Sequence, residues 1–147
     1  MPNWCANRLR ISGPTEDLVR FQKEAVGFSP WHPSEPADEP AALNFHSLVP
    51  IPPDVLAAGY GTSGCDWEWQ YWGCKWGAVH VTMVDEWEGG ALYEFDTAWS
   101  PPLPFLKLVS KAWPTLVFVM DYEEPLDGFK GLAQAKAGVL KDFSIEI

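Results

Sequence analysis

Trp72, Lys75 and Trp76, with Trp99 and Ser100 further along, are the residues whose types could build a ligand pocket: aromatic walls with one ammonium among them. Such walls bury a small ligand and a single charge orients it. The same tryptophans would also serve as the core joining an insert to a sheet, with Lys75 laying its stem along them and its charge in water. The residue types favour the second use. Asp96, Asp121, Glu123 and Glu124 could include a carboxylate pair for general acid–base work. Alternation along their segments instead places Glu94, Asp96, Asp121 and Glu123 on the face that carries Arg8 and Arg10, where cross-strand ion pairing is the simpler account.

Other reactive types offer less. Ser100 precedes Pro101-Pro102 and lacks the glycine elbow of a serine nucleophile, so capping of the following helix is expected. Only Cys74, beside Lys75, has the electropositive neighbour that a reactive thiol needs. Cys5, Cys65 and Cys74 are odd in number and lack Cys-x-x-Cys spacing, which argues against a disulfide framework and fits reduced thiols. His32, His46 and His80 are scattered, with no cysteine at ligand spacing. No metal, no cofactor and no catalytic residue is therefore assigned.

These residues sit in a chain of 147, enough for one domain over 1–147 with a sizeable core. Twenty acids against ten bases give a net charge of −10. Nucleic-acid binders carry basic patches, so direct nucleic-acid binding is not expected despite the aromatic content. No apolar run approaches the ~20 residues of a membrane span. The N-terminus has no signal-peptide pattern, and a cytoplasmic protein is the simple expectation.

The elements that must position the candidates read as follows. Trp4 to Ser12 alternates as a strand, with Cys5, Asn7, Leu9 and Ile11 on one face. Thr15 is a candidate N-cap for an amphipathic helix over 15–26, with Leu18, Phe21 and Ala25 on its stripe. Residues 27–42, with four prolines and three acids between 27 and 40, read as a mobile surface loop. A short extended piece over 43–49, a helical turn over 54–58 and a flexible bridge over 59–64 follow.

Cys65 to Gly77 is ambiguous. As a strand, Cys65, Trp67, Trp69 and Tyr71 oppose Asp66, Glu68 and Gln70; as a helix, Trp69, Trp72 and Trp76 form one stripe, and Gly73 suits its C-terminus. Pattern alone leans to strand. Val79–Val84 and Ala91–Trp99 read as a hairpin about Glu88-Gly89-Gly90, followed by a helix over Leu103–Trp113 and a strand over Thr115–Glu123. A hairpin over about 127–147 turns near Ala137-Gly138. Strand, helix, insert (about 27–78), strand, strand, helix, strand is the ferredoxin-like βαββαβ order: an α+β fold with an antiparallel sheet, its first strand central.

Several blocks together resemble a known family: Met1-Pro2-Asn3-Trp4-Cys5-Ala6-Asn7-Arg8-Leu9, Leu43 through Pro52, Trp72-Gly73-Cys74-Lys75-Trp76, Phe95 through Pro102, and Tyr122-Glu123-Glu124 with Phe129-Lys130-Gly131. They look like the YubB ferredoxin-like domain family, uncharacterised proteins borne largely on plasmids and phages. The usual tryptophan motif of that family is Asn-Trp-Gly-Thr-Lys-Trp-Asp; Tyr71, Cys74 and Gly77 stand here in place of its polar members. The resemblance implies a ferredoxin-like fold and a helical Trp-rich insert, and no activity.

The expected function is a non-enzymatic acidic binding module of a mobile genetic element, engaging a basic protein. Its surface would be the sheet face of Glu94, Asp96, Asp121 and Glu123, or the turn Asp85-Glu86-Trp87-Glu88, since acidic fields accelerate association with basic partners. Two alternatives stand beside it: a small-molecule enzyme using a Trp-lined pocket with Lys75 and Asp96, and an acidic mimic of nucleic acid.

Overall fold

β1 (Trp4–Ser12) occupies the middle of a six-stranded antiparallel sheet in the order β2-β3-β1-β4-β5-β6. The computed structural model describes residues 2–32 and 38–147. β2 (Lys75–Trp87) and β3 (Gly90–Ala98) form the expected hairpin, β4 (Val117–Glu124) lies on the far side of β1, and β5 (Phe129–Lys136) and β6 (Val139–Glu146) extend that edge. The four strands of the ferredoxin-like order thus stand where the sequence places them, with the C-terminal hairpin added outside β4.

One face of the sheet is dry. Period-two alternation aims Leu9, Ile11, Tyr93, Phe95, Phe118 and Met120 to that side, and all are buried. Two helices close over it. α1 (Thr15–Ala25) contributes Leu18, Phe21 and Ala25, and α5 (Leu103–Ala112) contributes Phe105, Leu106 and Val109. Phe21 meets Trp113 and Phe118 edge-on at 5.3 and 5.7 Å between centroids. Asn7 is the one polar residue on the buried face of β1, and its amide donates to the carbonyls of Cys5 and Phe95 and to Thr97 Oγ1.

The caps differ from expectation. Thr15 is inside α1 rather than capping it, and its neighbour Pro14 occupies the cap position with no side-chain bond. Ser100 does not cap α5 either; its hydroxyl donates to the Gly73 carbonyl at 2.6 Å and ties the insert to the end of β3. Pro104 lies in the first turn of α5, where a missing N–H costs no helical hydrogen bond.

The insert between α1 and β2 is more ordered than its composition suggests. Residues 43–49 hold a helical turn, α2 (Phe45–Leu48), instead of an extended piece. Asn44 causes it: its side chain caps the turn by accepting the Ser47 N–H at 2.9 Å. α3 (Pro53–Ala58) is the expected turn, and a wide turn over Tyr60–Gly64 leads into α4 (Cys65–Tyr71). The Trp-rich stretch is therefore helical over its first half only. Gly73, at φ 81°, ends it in the left-handed conformation, and a Cβ there would run into the Pro104 ring. Of the expected loop over 27–42, residues 33–37 fall outside the described residues. On its two sides, Gly27 and Ala41 form a bridge, and Trp31 meets Tyr60 edge-on at 5.1 Å and lies close against Gly64.

Candidate functional site

The insert and the edge strand β2 enclose a pocket of about 620 Å³. Trp4 enters from β1, Trp76, His80 and Thr82 from β2, and His32, Glu39 and Asn44 from the insert. No Lys or Arg lines it among the described residues. Its walls are aromatic rings: Trp4 lies 6.3 Å from Trp76 and 5.3 Å from His80, the latter edge-on, and His32 meets Trp76 at 6.0 Å.

β2 reaches these positions by breaking its own ladder. Its register against β3 shifts between Lys75 and Val79, between Val79 and Thr82, and between Met83 and Asp85. Such bulges re-aim side chains at sheet edges. Trp76 and His80 both take positive φ, at 75° and 54°, and Trp99 at the end of β3 takes 65°. For residues with a Cβ this conformation costs on the order of 1 kcal/mol or more and persists only where surrounding contacts enforce it.

Glu68 supplies the enforcing contact. Its carboxylate is fully buried on α4, and Oε1 accepts the Trp76 backbone N–H at 2.8 Å and the Tyr60 hydroxyl at 3.0 Å. Oε2 lies 3.3 Å from His32 Nε2, an ion-pair approach without hydrogen-bond alignment. Burial and the Glu68 charge both push the Tyr60 phenol well above its ordinary pKa, so it stays a donor. A second imidazole–carboxylate pair stands on the opposite wall, where His80 Nδ1 is 2.8 Å from Asp96 Oδ2. An ionised carboxylate only accepts, so Nδ1 is the donor in this contact and the Asp96 carboxylate orients the ring.

The structure scatters the sequence candidates. Trp76 and Asp96 belong to the site, one as a wall and the other behind His80. Trp99 stands just outside, its ring tilted against Trp76 at 5.9 Å and Trp69 at 6.3 Å, and about a third exposed. Lys75 does not line the pocket; its ammonium sits 5.1 Å over the Trp76 ring. Trp72 is core: 1% exposed, edge-on to Phe45 and Trp67, with its indole N–H donated to the Val49 carbonyl at 3.1 Å. Glu94, Asp121 and Glu123 lie on the open face of the sheet, away from the pocket. Glu124 is buried and caps the β4–β5 turn by accepting the N–H groups of Leu126 and Asp127.

The open face is less acidic than the sequence implies. Arg8 does lie between Glu94 and Asp121, with its guanidinium 3.9 Å from Glu94. Arg10, however, is flanked by Leu92 and Val119 and covers the Trp87 ring at 5.1 Å, while Asp96 and Glu123 flank Ala6. β5 then sets Lys130 opposite Glu123. The one-signed charge lies elsewhere: from Ala25 to Cys74 the chain has no Lys or Arg, yet it carries Glu35, Asp38, Glu39, Asp54, Asp66 and Glu68.

Sequence reasoning missed Trp4, His32, His80 and Glu68. The readable signal is an acid within an aromatic run, Glu68 between Trp67 and Trp69; read as a strand, the pattern puts it on the polar face with Asp66 and Gln70. No sequence spacing connects His80 with Asp96 or His32 with Glu68, because bulges and loops bring them together.

Among the described residues no cluster of His, Cys, Asp or Glu could hold a metal ion, and no helix is long and apolar enough to cross a membrane. A search of curated proteins gives no match. The chain superposes over its whole length on the crystal structure of protein api92 from Yersinia pseudotuberculosis, covering 98% of that chain with a TM-score of 0.78 at 12% identity. That likeness carries the fold alone, which agrees with the ferredoxin-like part of the sequence resemblance. The family model described as "Ferredoxin-like domain in Api92-like protein" matches residues 72–146, from the tryptophan that follows the insert helix to the end of β6, and the chain belongs to that family.

Proposed function

We propose that this protein is a non-enzymatic binding module that takes a basic segment of a protein partner into the Trp4–Trp76 pocket. One observation carries the reading: two indole walls and an insert with acids but no Lys or Arg meet at a single concave site. A guanidinium or ammonium over an indole face gains about 0.5–2 kcal/mol, more as water is excluded. Lys75 already makes this contact on Trp76. The acidic field of the insert draws such a partner in from a distance and is screened by salt. In line with the plasmid- and phage-borne proteins that the sequence resembles, the module acts for a mobile genetic element. Its site is the pocket rather than the charge-balanced sheet face. That interleaving of Arg8, Arg10 and Lys130 among the acids also speaks against mimicry of a phosphate backbone.

A second reading is favoured by the His80–Asp96 pair. An imidazole whose Nδ1–H is held by a carboxylate is the arrangement of a general base. A small-molecule enzyme would then use His80 and Asp96, without Lys75.

Affinity capture from the native host, followed by mass spectrometry, separates the readings. The binding module predicts a basic protein retained by wild type at low salt, released at high salt and absent with Trp76→Ala. Retention indifferent to both salt and Trp76 would contradict it.

A further inference from the structure

The two edges of the sheet are built differently. β2 shifts register three times and carries Asp85 and Glu86 along its outer half, with Glu88 in the turn that follows. Bulges and charges are the usual means of stopping an edge from pairing with another chain. β6 lacks the first device, and of its charges Asp142 and Glu146 lie on the helix side, leaving Lys141 alone on the open face. It pairs with β5 without any shift from Val139 opposite Lys136 through Glu146 opposite Phe129, and contains no proline. On the open face, Phe143 is 71% exposed and sits beside Leu132 of β5, with Val139, Ile145 and Ile147 also exposed. A regular edge strand of this length, apolar on its open face apart from Lys141, is a template for another strand.

We infer that β6 pairs antiparallel with β6 of a second copy, giving a two-fold dimer with one continuous sheet. The sequence of β6 is compatible with its own copy, through an exposed aromatic that can stack on its counterpart, and its charges select the register. A two-fold axis normal to the sheet keeps both open faces on one side, so each residue opposes one of the same parity. Two such registers keep most of β6 paired. Centred on Asp142, the first opposes that carboxylate to its own copy. Centred on Phe143, the second stacks the ring on its counterpart, sets Ile145 opposite Lys141, and pairs Asp142 with Ser144 and Glu146 with Leu140. No like charges meet in that register, and cross-strand aromatic pairs are favourable. Phe143 therefore lies on the two-fold axis. This inference is independent of the pocket, which lies at the opposite edge.

Light scattering behind size exclusion and cysteine cross-linking test it on the full chain. Wild type is expected at twice 16.4 kDa with a melt that rises with concentration, and Phe143→Glu at the monomer mass with a native circular dichroism spectrum and a concentration-independent melt. Under mild oxidation Phe143→Cys is expected to cross-link across the axis, where opposed Cβ atoms are ~5 Å apart. Lys141→Cys should not, since it lies four residues from its counterpart, ~13 Å along the strand. Cys5 and Cys74 are buried, so wild type gives the background from Cys65. A wild type that is monomeric at all concentrations overturns the inference and leaves the edge to a foreign strand. A dimer that persists in Phe143→Glu overturns it too, as does cross-linking of Lys141→Cys as efficient as that of Phe143→Cys.

Discussion

The buried carboxylate of Glu68 accepts the backbone N–H of Trp76 at 2.8 Å, holding a residue with φ 75° at the point where the insert becomes the edge strand. One hydrogen bond thus joins the helix of the Trp-rich stretch to the wall of the pocket. Removing it should be expensive. Glu68→Ala leaves the Trp76 N–H and the Tyr60 hydroxyl without their acceptor, and urea melts should show a loss of about 2–5 kcal/mol. Glu68→Gln keeps an acceptor and should lose less than half as much. An Ala variant within about 1 kcal/mol of wild type would show that the strained conformation is held by something else.

The tryptophans should separate by role. Trp72→Ala removes a fully buried ring and its bond to Val49, at a cost of about 3–5 kcal/mol. The sequence groups Trp76 with it as core, but Trp76 is half-buried and faces a cavity, so Trp76→Ala should cost about 1–2 kcal/mol. Equal losses in denaturant melts would return Trp76 to the core.

Stability should be flat through neutral pH and fall on both sides. Burial raises the Cys5 thiol from 9.0 to about 12 and the Tyr93 phenol from 10.0 to about 12, and pushes the Cys74 thiol up as well. These groups hold their protons more tightly when folded. Their contribution is complete below pH 9 and is lost as pH rises from 9 towards 12. Burial lowers His46, whose Nδ1 accepts the Ile51 N–H at 3.0 Å, so stability also declines as pH falls below 6.5. Melts across about pH 5 to 11 check both limbs; a curve still flat at about pH 10.5 would contradict the buried thiols.

The open-face pair should matter little. Arg8 and Glu94 are about half exposed and 3.9 Å apart, so Arg8→Ala is expected to cost under about 1 kcal/mol. A larger loss in the same melts would mean that Arg8 supports the sheet through packing.

Sheet order is legible in the sequence because period-two alternation and the hairpin turn are local. Leu9, Tyr93 and Met120 announce their face within their own strands. The site is not legible, for three physical reasons. Asn44 turns an apparently extended segment into a helix by one capping bond. Positive φ at Trp76, His80 and Trp99 breaks the alternation that places Trp99 beside Thr97 on the buried face. Glu68 is a buried charge, and pattern reasoning puts every such acid on the wet side unless its donors are known.

The pocket's affinity for a basic segment tests the account most directly. Tryptophan fluorescence should be titrated with a short Arg-Gly repeat peptide and with a Glu-Gly counterpart, at about 0.05 M and about 0.3 M salt. The account predicts saturable quenching by the arginine peptide alone, weakened at least about tenfold by the higher salt and abolished in Trp76→Ala. Quenching that survives in Trp76→Ala, or that the acidic peptide produces equally, would contradict it.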